Sequence, residues 1–122
     1  MEEHAGYGNP YVRRFGCSCG KLDAMENIYF AVTRKNISGQ PQEGWIPSEK
    51  MSVDEAVKLF TKNAAYASYT EDENGTIEVE KNADFVVLEK DIYKIDPDEI
   101  KATKVDMTVL GGEIVYERKV EE

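Results

Sequence analysis

Apolar positions recur at helical spacing in the first half of this chain and at strand spacing in the second. Met25, Ile28, Tyr29 and Val32 share one helical face. Asp23 stands just before them with Glu26 three residues later, the arrangement of a capping box, so a first helix is predicted to start at residue 23. Val53, Val57, Phe60, Ala64 and Ala67 form a second stripe, spaced four, three, four and three, behind another capping box made by Ser52 and Glu55. This predicts one amphipathic helix over 52–68. Between the two helices, "NISGQPQEGWIP" has the composition of a loop, with Trp45 and Ile46 as its large apolar anchors.

Past the acidic run "TEDENG", which ends in the turn pair Asn74-Gly75, the period becomes two. Ile77 and Val79 alternate with polar residues, as in a strand with one wet face. "DFVVLEKD" is a short continuous apolar run and predicts a strand covered on both faces. Asp96 caps and Pro97 opens a short helical turn. Val105, Met107 and Val109 alternate up to Gly111-Gly112, and Ile114 and Tyr116 alternate beyond, which predicts an antiparallel hairpin. The pattern therefore predicts an α+β fold: amphipathic helices packed on a small, mainly antiparallel sheet of four strands. The helix at 52–68 is the expected cover for that sheet. Three segments follow: a glycine-rich, irregular or disordered lead-in over 1–22, a helical segment over 23–70, and a sheet segment over 71–122.

Composition narrows the classes of function. A chain of 122 residues suits one domain and is too short for a complete barrel enzyme. Asp and Glu outnumber Lys and Arg by 24 to 15, giving a net charge of −9, and such a surface repels nucleic acid. No apolar run is long enough to span a membrane. The acidic start "MEEH" lacks the pattern of an export signal, so a cytoplasmic location is expected. Two cysteines do not make a disulfide framework.

The stretch "FGCSCGKLD" is the first candidate for chemistry, because thiolates bind zinc and soft metals. A closed zinc site needs four ligands, whereas this chain offers Cys17, Cys19 and the lone His4, with Asp23 nearby. The plain reading is a pair of free thiols in a glycine-rich loop. A disulfide between residues two apart would be strained, although one between chains is open. His4 has no nucleophile or paired carboxylate beside it in sequence. Glu71, Asp72 and Glu73 lack the alternating oxygen ligands of a calcium loop and read as a solvated turn. Tyr66, Tyr69, Tyr93 and Tyr116 suit the edge of a core rather than a nucleic-acid platform, since no basic residues are interleaved with them. Neither "GKLDAM" nor "LGGE" has the spacing of a phosphate loop. No catalytic or cofactor-binding residue is assigned, and Cys17, Cys19 and His4 stand as the metal-binding candidates.

In combination, "NIYFAVTRKN", "EGWIPSEKMSVDEAVKLFTKNAAYAS", "GTIEVEKNADFVVLEKD", "IDPDEI" and "VDMTVLGGEIVYE" resemble the C-terminal end of the metal-dependent amidohydrolase superfamily, in the branch of the AepA-like exoenzyme regulatory proteins. The resemblance covers about residues 23–118. It implies a longer enzyme with a metal-bearing barrel and a small β-sandwich built from both chain ends. This chain then corresponds to the last barrel helices, to about residue 70, and to the C-terminal half of the sandwich. The family's metal-ligand histidines lie on earlier strands. Its last barrel strand ends in a Gly-Ser-Asp-x-Pro motif whose aspartate binds metal and would fall near Gly16 or Cys17, where no carboxylate stands. Asp23 matches the turn aspartate that follows, and Arg34 and Lys35, in "VTRK", lie in a tripeptide the family shares, which implies that they face the active site of an intact enzyme. In this chain alone those two cations are expected to cap the end of the first helix.

The resemblance implies a non-catalytic C-terminal fragment of a hydrolase of carbon–nitrogen bonds other than peptide bonds. A divalent metal belongs to the full-length enzyme, with no cofactor in this chain. The alternatives are a stand-alone interaction or dimerisation module and a cysteine-based metal-binding module. The expected partner is a second copy or the missing barrel portion.

Overall fold

The computed structural model describes residues 23–119. Helix α1 (Ala24–Thr33) starts where the pattern places it: the Asp23 carboxylate accepts the N–H groups of Met25 and Glu26 at 2.9 and 3.2 Å, meeting donors that the first helical turn leaves without partners. It ends at Arg34, which turns left-handed (φ 54°) and donates its N–H to Phe30 O at 2.9 Å. The following loop is tied back to the helix end by two backbone bonds, Trp45 N–H to Arg34 O at 2.8 Å and Met51 N–H to Ala31 O at 3.0 Å. A short 3₁₀ turn, Pro47–Glu49, lies within it.

Helix α2 (Val53–Phe60) carries the expected reciprocal cap. Ser52 Oγ accepts from Glu55 N–H at 3.2 Å, and the Glu55 carboxylate accepts from Ser52 N–H at 2.8 Å. The single helix expected over 52–68 is instead two, α2 and α3 (Lys62–Ala67), separated at Thr61 (φ −125°, ψ −95°). The Thr61 hydroxyl donates to Val57 O at 2.9 Å, a local bond that competes with the helical ladder. Gly75 of the next loop, at φ +96°, lies so close to α3 that a Cβ there would sit 2.7 Å from the Ala65 Cβ.

The core lies between α1, α2 and a 3₁₀ turn, Pro97–Ala102, which Asp96 caps by accepting Asp98 N–H at 2.8 Å. Met25, Ile28, Tyr29, Val32, Ala56, Ile92 and Ile100 fill it, and Val53, Val57, Phe60, Leu88 and Ile95 close its rim. Tyr29 and Ile100 are wholly buried. The apolar stripe of α2 thus packs on α1, and the sheet reaches the helices at Leu88.

Strands β1 (Phe85–Leu88), β2 (Val105–Leu110) and β3 (Glu113–Glu117) form an antiparallel sheet in the order β1-β2-β3. The α+β class and the Gly111-Gly112 hairpin are as expected, with both glycines at positive φ (59° and 81°). Cross-strand partners place Phe85, Val109 and Ile114 in one row and Val87 and Met107 beside it, while Val115 is extra in a bulge on β3.

Two strand expectations are corrected. Ile77 and Val79 belong to no strand and are 84% and 92% exposed. Their segment winds instead around Lys81, whose ammonium donates to Glu71 O at 2.7 Å and Thr76 Oγ1 at 2.8 Å. With side-chain bonds holding this loop and no described strand beside it, alternation alone cannot make a strand. Phe85, Val86 and Val87, expected to be covered on both faces, are exposed, because no described layer lies over β1. None of the described helices is long and apolar enough to cross a membrane.

Candidate functional site

The C-terminal end of α1 gathers Tyr29, Arg34, Lys35 and Lys101 over the core. Tyr29, buried by its ring, sends its hydroxyl out to donate to Asn36 O at 2.9 Å. Lys101 crosses above that ring, 4.7 Å from its centre, and donates to Ile37 O at 2.9 Å. Arg34 lies over the Trp45 ring at 5.2 Å, and its Nε donates to Trp45 O at 2.6 Å. Lys35 donates to both Asp98 oxygens at 2.9 and 3.0 Å. That hydrogen-bonded carboxylate raises the Lys35 pKa above its ordinary 10.5. These contacts fasten loop 34–50 to α1 and to the Pro97 turn, and they spend the cations on internal partners.

The expectation that Arg34 and Lys35 cap α1 through their charges is therefore corrected. The α1 end is closed by the Arg34 backbone N–H, while the two side chains reach Trp45 and Asp98. Tertiary partners at hydrogen-bonding distance outweigh the weaker attraction of a helix end.

A second cluster joins the three strands. Arg118, just past β3, pairs with Glu89 at 3.0 Å and Asp106 at 2.6 Å, and Glu89 also accepts Lys104 N–H at 3.0 Å. Hydrogen bonding from the Lys104 N–H, joined by the Arg118 guanidinium, holds the Glu89 carboxyl below its ordinary 4.5. Since the folded-state pKa is the lower one, this cluster supports the sheet above about pH 4.5 and is lost as the pH falls through the folded value below it. Urea midpoints measured against pH are expected to be lower for Glu89→Gln than for the wild type at neutral pH. The two curves are expected to merge in acid, and a constant gap down to acid would contradict this role.

Among the described residues, no three His, Cys, Asp or Glu side chains come together in a way that could hold a metal ion. Glu71, Asp72 and Glu73 lie in the loop wound around Lys81, where Glu71 and Glu73 offer main-chain carbonyls to Lys81 and Asn82. Tyr66, Tyr69, Tyr93 and Tyr116 are exposed, and it is Tyr29 that seals the core. Cys17, Cys19 and His4, like residues 16 and 17 where the family's metal aspartate would fall, lie outside the described residues. The described donor set does not fit a divalent metal site. Asp98, Lys81, Asp106 and Arg118 received no role from the sequence, and local spacing could not have found them, since Lys35 and Asp98 are 63 positions apart and Glu89 and Arg118 are 29 apart.

The profile of the Amidohydrolase family matches residues 17–116. The chain belongs to the amidohydrolase family. A putative amidohydrolase, YtcJ, from Bacillus subtilis is 37% identical over 80% of this chain, and the N-substituted formamide deformylase of Arthrobacter pascens is 35% identical over 82%. The imidazolonepropionase of Bacteroides thetaiotaomicron is 41% identical over 52% of the chain, which is 15% of its own length. The matched part is 18% of the length of each of the first two relatives. No solved structure matches. The amidohydrolase match begins within "FGCSCGKLD" and runs through α1, both halves of the split helix, β1 and β2 and into β3. Family membership, implied in the sequence by separate short segments, thus extends to the folded unit as a whole.

Proposed function

We propose that this chain is a non-catalytic C-terminal segment of a metal-dependent amidohydrolase of the AepA-like branch, and that its work is scaffolding. In this reading residues 23–70 correspond to the last helices of a barrel and residues 71–122 to half of a β-sandwich. The reaction of the whole enzyme is hydrolysis of a carbon–nitrogen bond other than a peptide bond, with water activated by a divalent metal held elsewhere in the protein. The relative named as an N-substituted formamide deformylase suggests a compact N-acyl compound as the substrate class.

One observation carries this reading. Residues that match about a fifth of an amidohydrolase build a core and a sheet without gathering a trio of metal ligands among the described residues. The exposed row Phe85 and Ile114, with Val87 beside it, also has the character of a surface meant to meet another layer. The purified chain, supplied with zinc and an N-substituted formamide, is expected to give no hydrolysis above the buffer rate. Turnover abolished by a chelator and restored by zinc would overturn the reading.

A further inference from the structure

Of the asparagines in the chain, Asn74 alone precedes a glycine; the others precede proline, isoleucine or alanine. The pairing has a chemical consequence, because a main-chain nitrogen can attack the side-chain amide of the residue before it, and a β-carbon on the attacking residue hinders the approach. Glycine has none.

The fold leaves this nucleophile accessible. Asn74 and Gly75 are only partly buried, and the Gly75 N–H donates to no acceptor among the described residues, so no hydrogen bond must break before it attacks. The loop around it is held by its neighbours: Asn74 N–H donates to Thr70 O and Asn82 N–H to Glu73 O, each at 2.8 Å. The Asn74 side chain faces Asp84. Its amide nitrogen donates to Asp84 Oδ2 at 3.1 Å and to Glu73 O at 3.1 Å. Asp84 is exposed, so water competes for the first of these bonds. The other carboxylate oxygen, Asp84 Oδ1, accepts Gly111 N–H at 2.7 Å, and Gly112 N–H donates to Ala83 O at 3.0 Å beside it. The Asn74 amide is thus the first link in a chain that ties loop 70–84 to the hairpin between β2 and β3.

We infer that Asn74 is a site of spontaneous deamidation, and that its conversion loosens this loop from the hairpin. Gly75 N bonds to Asn74 Cγ, the Cγ–Nδ2 bond breaks, and the released nitrogen leaves as ammonia carrying the Gly75 amide proton. Water then opens the five-membered imide at either carbonyl, giving aspartate or isoaspartate at position 74. Each product lacks the donor to Asp84 and sets a second carboxylate against it. Isoaspartate also lengthens the main chain by a methylene beside Gly75, where a Cβ would already lie 2.7 Å from Ala65 Cβ and 3.1 Å from Lys62 Cα. The loop and α3 cannot both keep their places. Neither step depends on the hydrolase reading.

The full chain is aged in native buffer at neutral and at mildly alkaline pH and its peptides are mapped by mass spectrometry. The amide-to-acid mass change is expected at Asn74 about tenfold faster than at Asn63 or Asn82, a barrier difference of about 1.4 kcal/mol. Its rate is expected to rise with pH, since base removes the Gly75 proton. Asn74→Gln, which would have to close a six-membered imide, is expected to stay intact. Hydrogen exchange at Gly111 and Gly112 is expected to be about tenfold faster in the aged chain than in the fresh one. Asn74→Asp, which carries the charge without the extra methylene, is expected to fall between them. Circular dichroism checks that each sample is folded. Conversion in urea with none above the other asparagines in native buffer overturns the inference, because the fold then shields Asn74. Unchanged exchange at the two glycines in fully converted chain overturns it as well.

Discussion

Replacing Tyr29 with alanine is expected to cost about 3–5 kcal/mol of stability, as for other aromatic side chains removed from a packed core. The ring is wholly buried and sits among Met25, Ile28, Val32, Ala56 and Ile100. Truncation leaves a cavity between α1 and the Pro97 turn that backbone-fixed neighbours cannot fill. It also removes the surface over which Lys101 lies, 4.7 Å from the ring centre. Small domains have about 5–15 kcal/mol in all, so this one change is expected to populate unfolded chain at room temperature. Tyr29→Phe isolates the hydroxyl: it keeps the ring, loses the 2.9 Å bond to Asn36 O, and is expected to cost about 1 kcal/mol. Urea unfolding followed by circular dichroism reads both. If alanine costs no more than phenylalanine does, the core is not organised around this ring.

Gly44→Ala is expected to destabilise by about 2–4 kcal/mol through two additive effects, a strained backbone and a steric clash. Gly44 holds φ at +85°, and a Cβ there would clash with the carbonyl oxygen of Thr33, a main-chain atom fixed in α1. Relief requires the loop to lift from the helix, which breaks the neighbouring Trp45 N–H to Arg34 O bond and pulls Trp45 from beneath Arg34. Gly39 supplies the control: its φ is +82°, yet nothing lies within 4 Å of a Cβ built on it. Gly39→Ala therefore carries backbone strain alone and is expected to cost about 1 kcal/mol. Thermal unfolding of the pair separates the effects, and equal losses would mean that the close approach at Gly44 contributes nothing.

The site is harder to read from sequence than the fold. "VTRK" suggested cations at a helix end, yet what Arg34 and Lys35 do depends on Trp45 and Asp98, and only folding brings those within reach. Nothing in the sequence marks Lys81, yet the loop wraps around its ammonium. In each case the partner lies across a loop or on another element, and no local period encodes it.

What the sequence by itself determined is local: the caps at Asp23, Ser52 and Asp96, the buried face of α1, the glycine hairpin and the family all follow from neighbouring residues and their spacing. Only the tertiary structure decided that the second helix divides at Thr61, that Ile77 and Val79 join none of the described strands, and that α2 closes over α1 while the sheet meets the core at Leu88. The physical reason is range. A cap or a turn is satisfied within a few residues, whereas a strand or an apolar stripe is completed by whatever surface the rest of the chain brings against it.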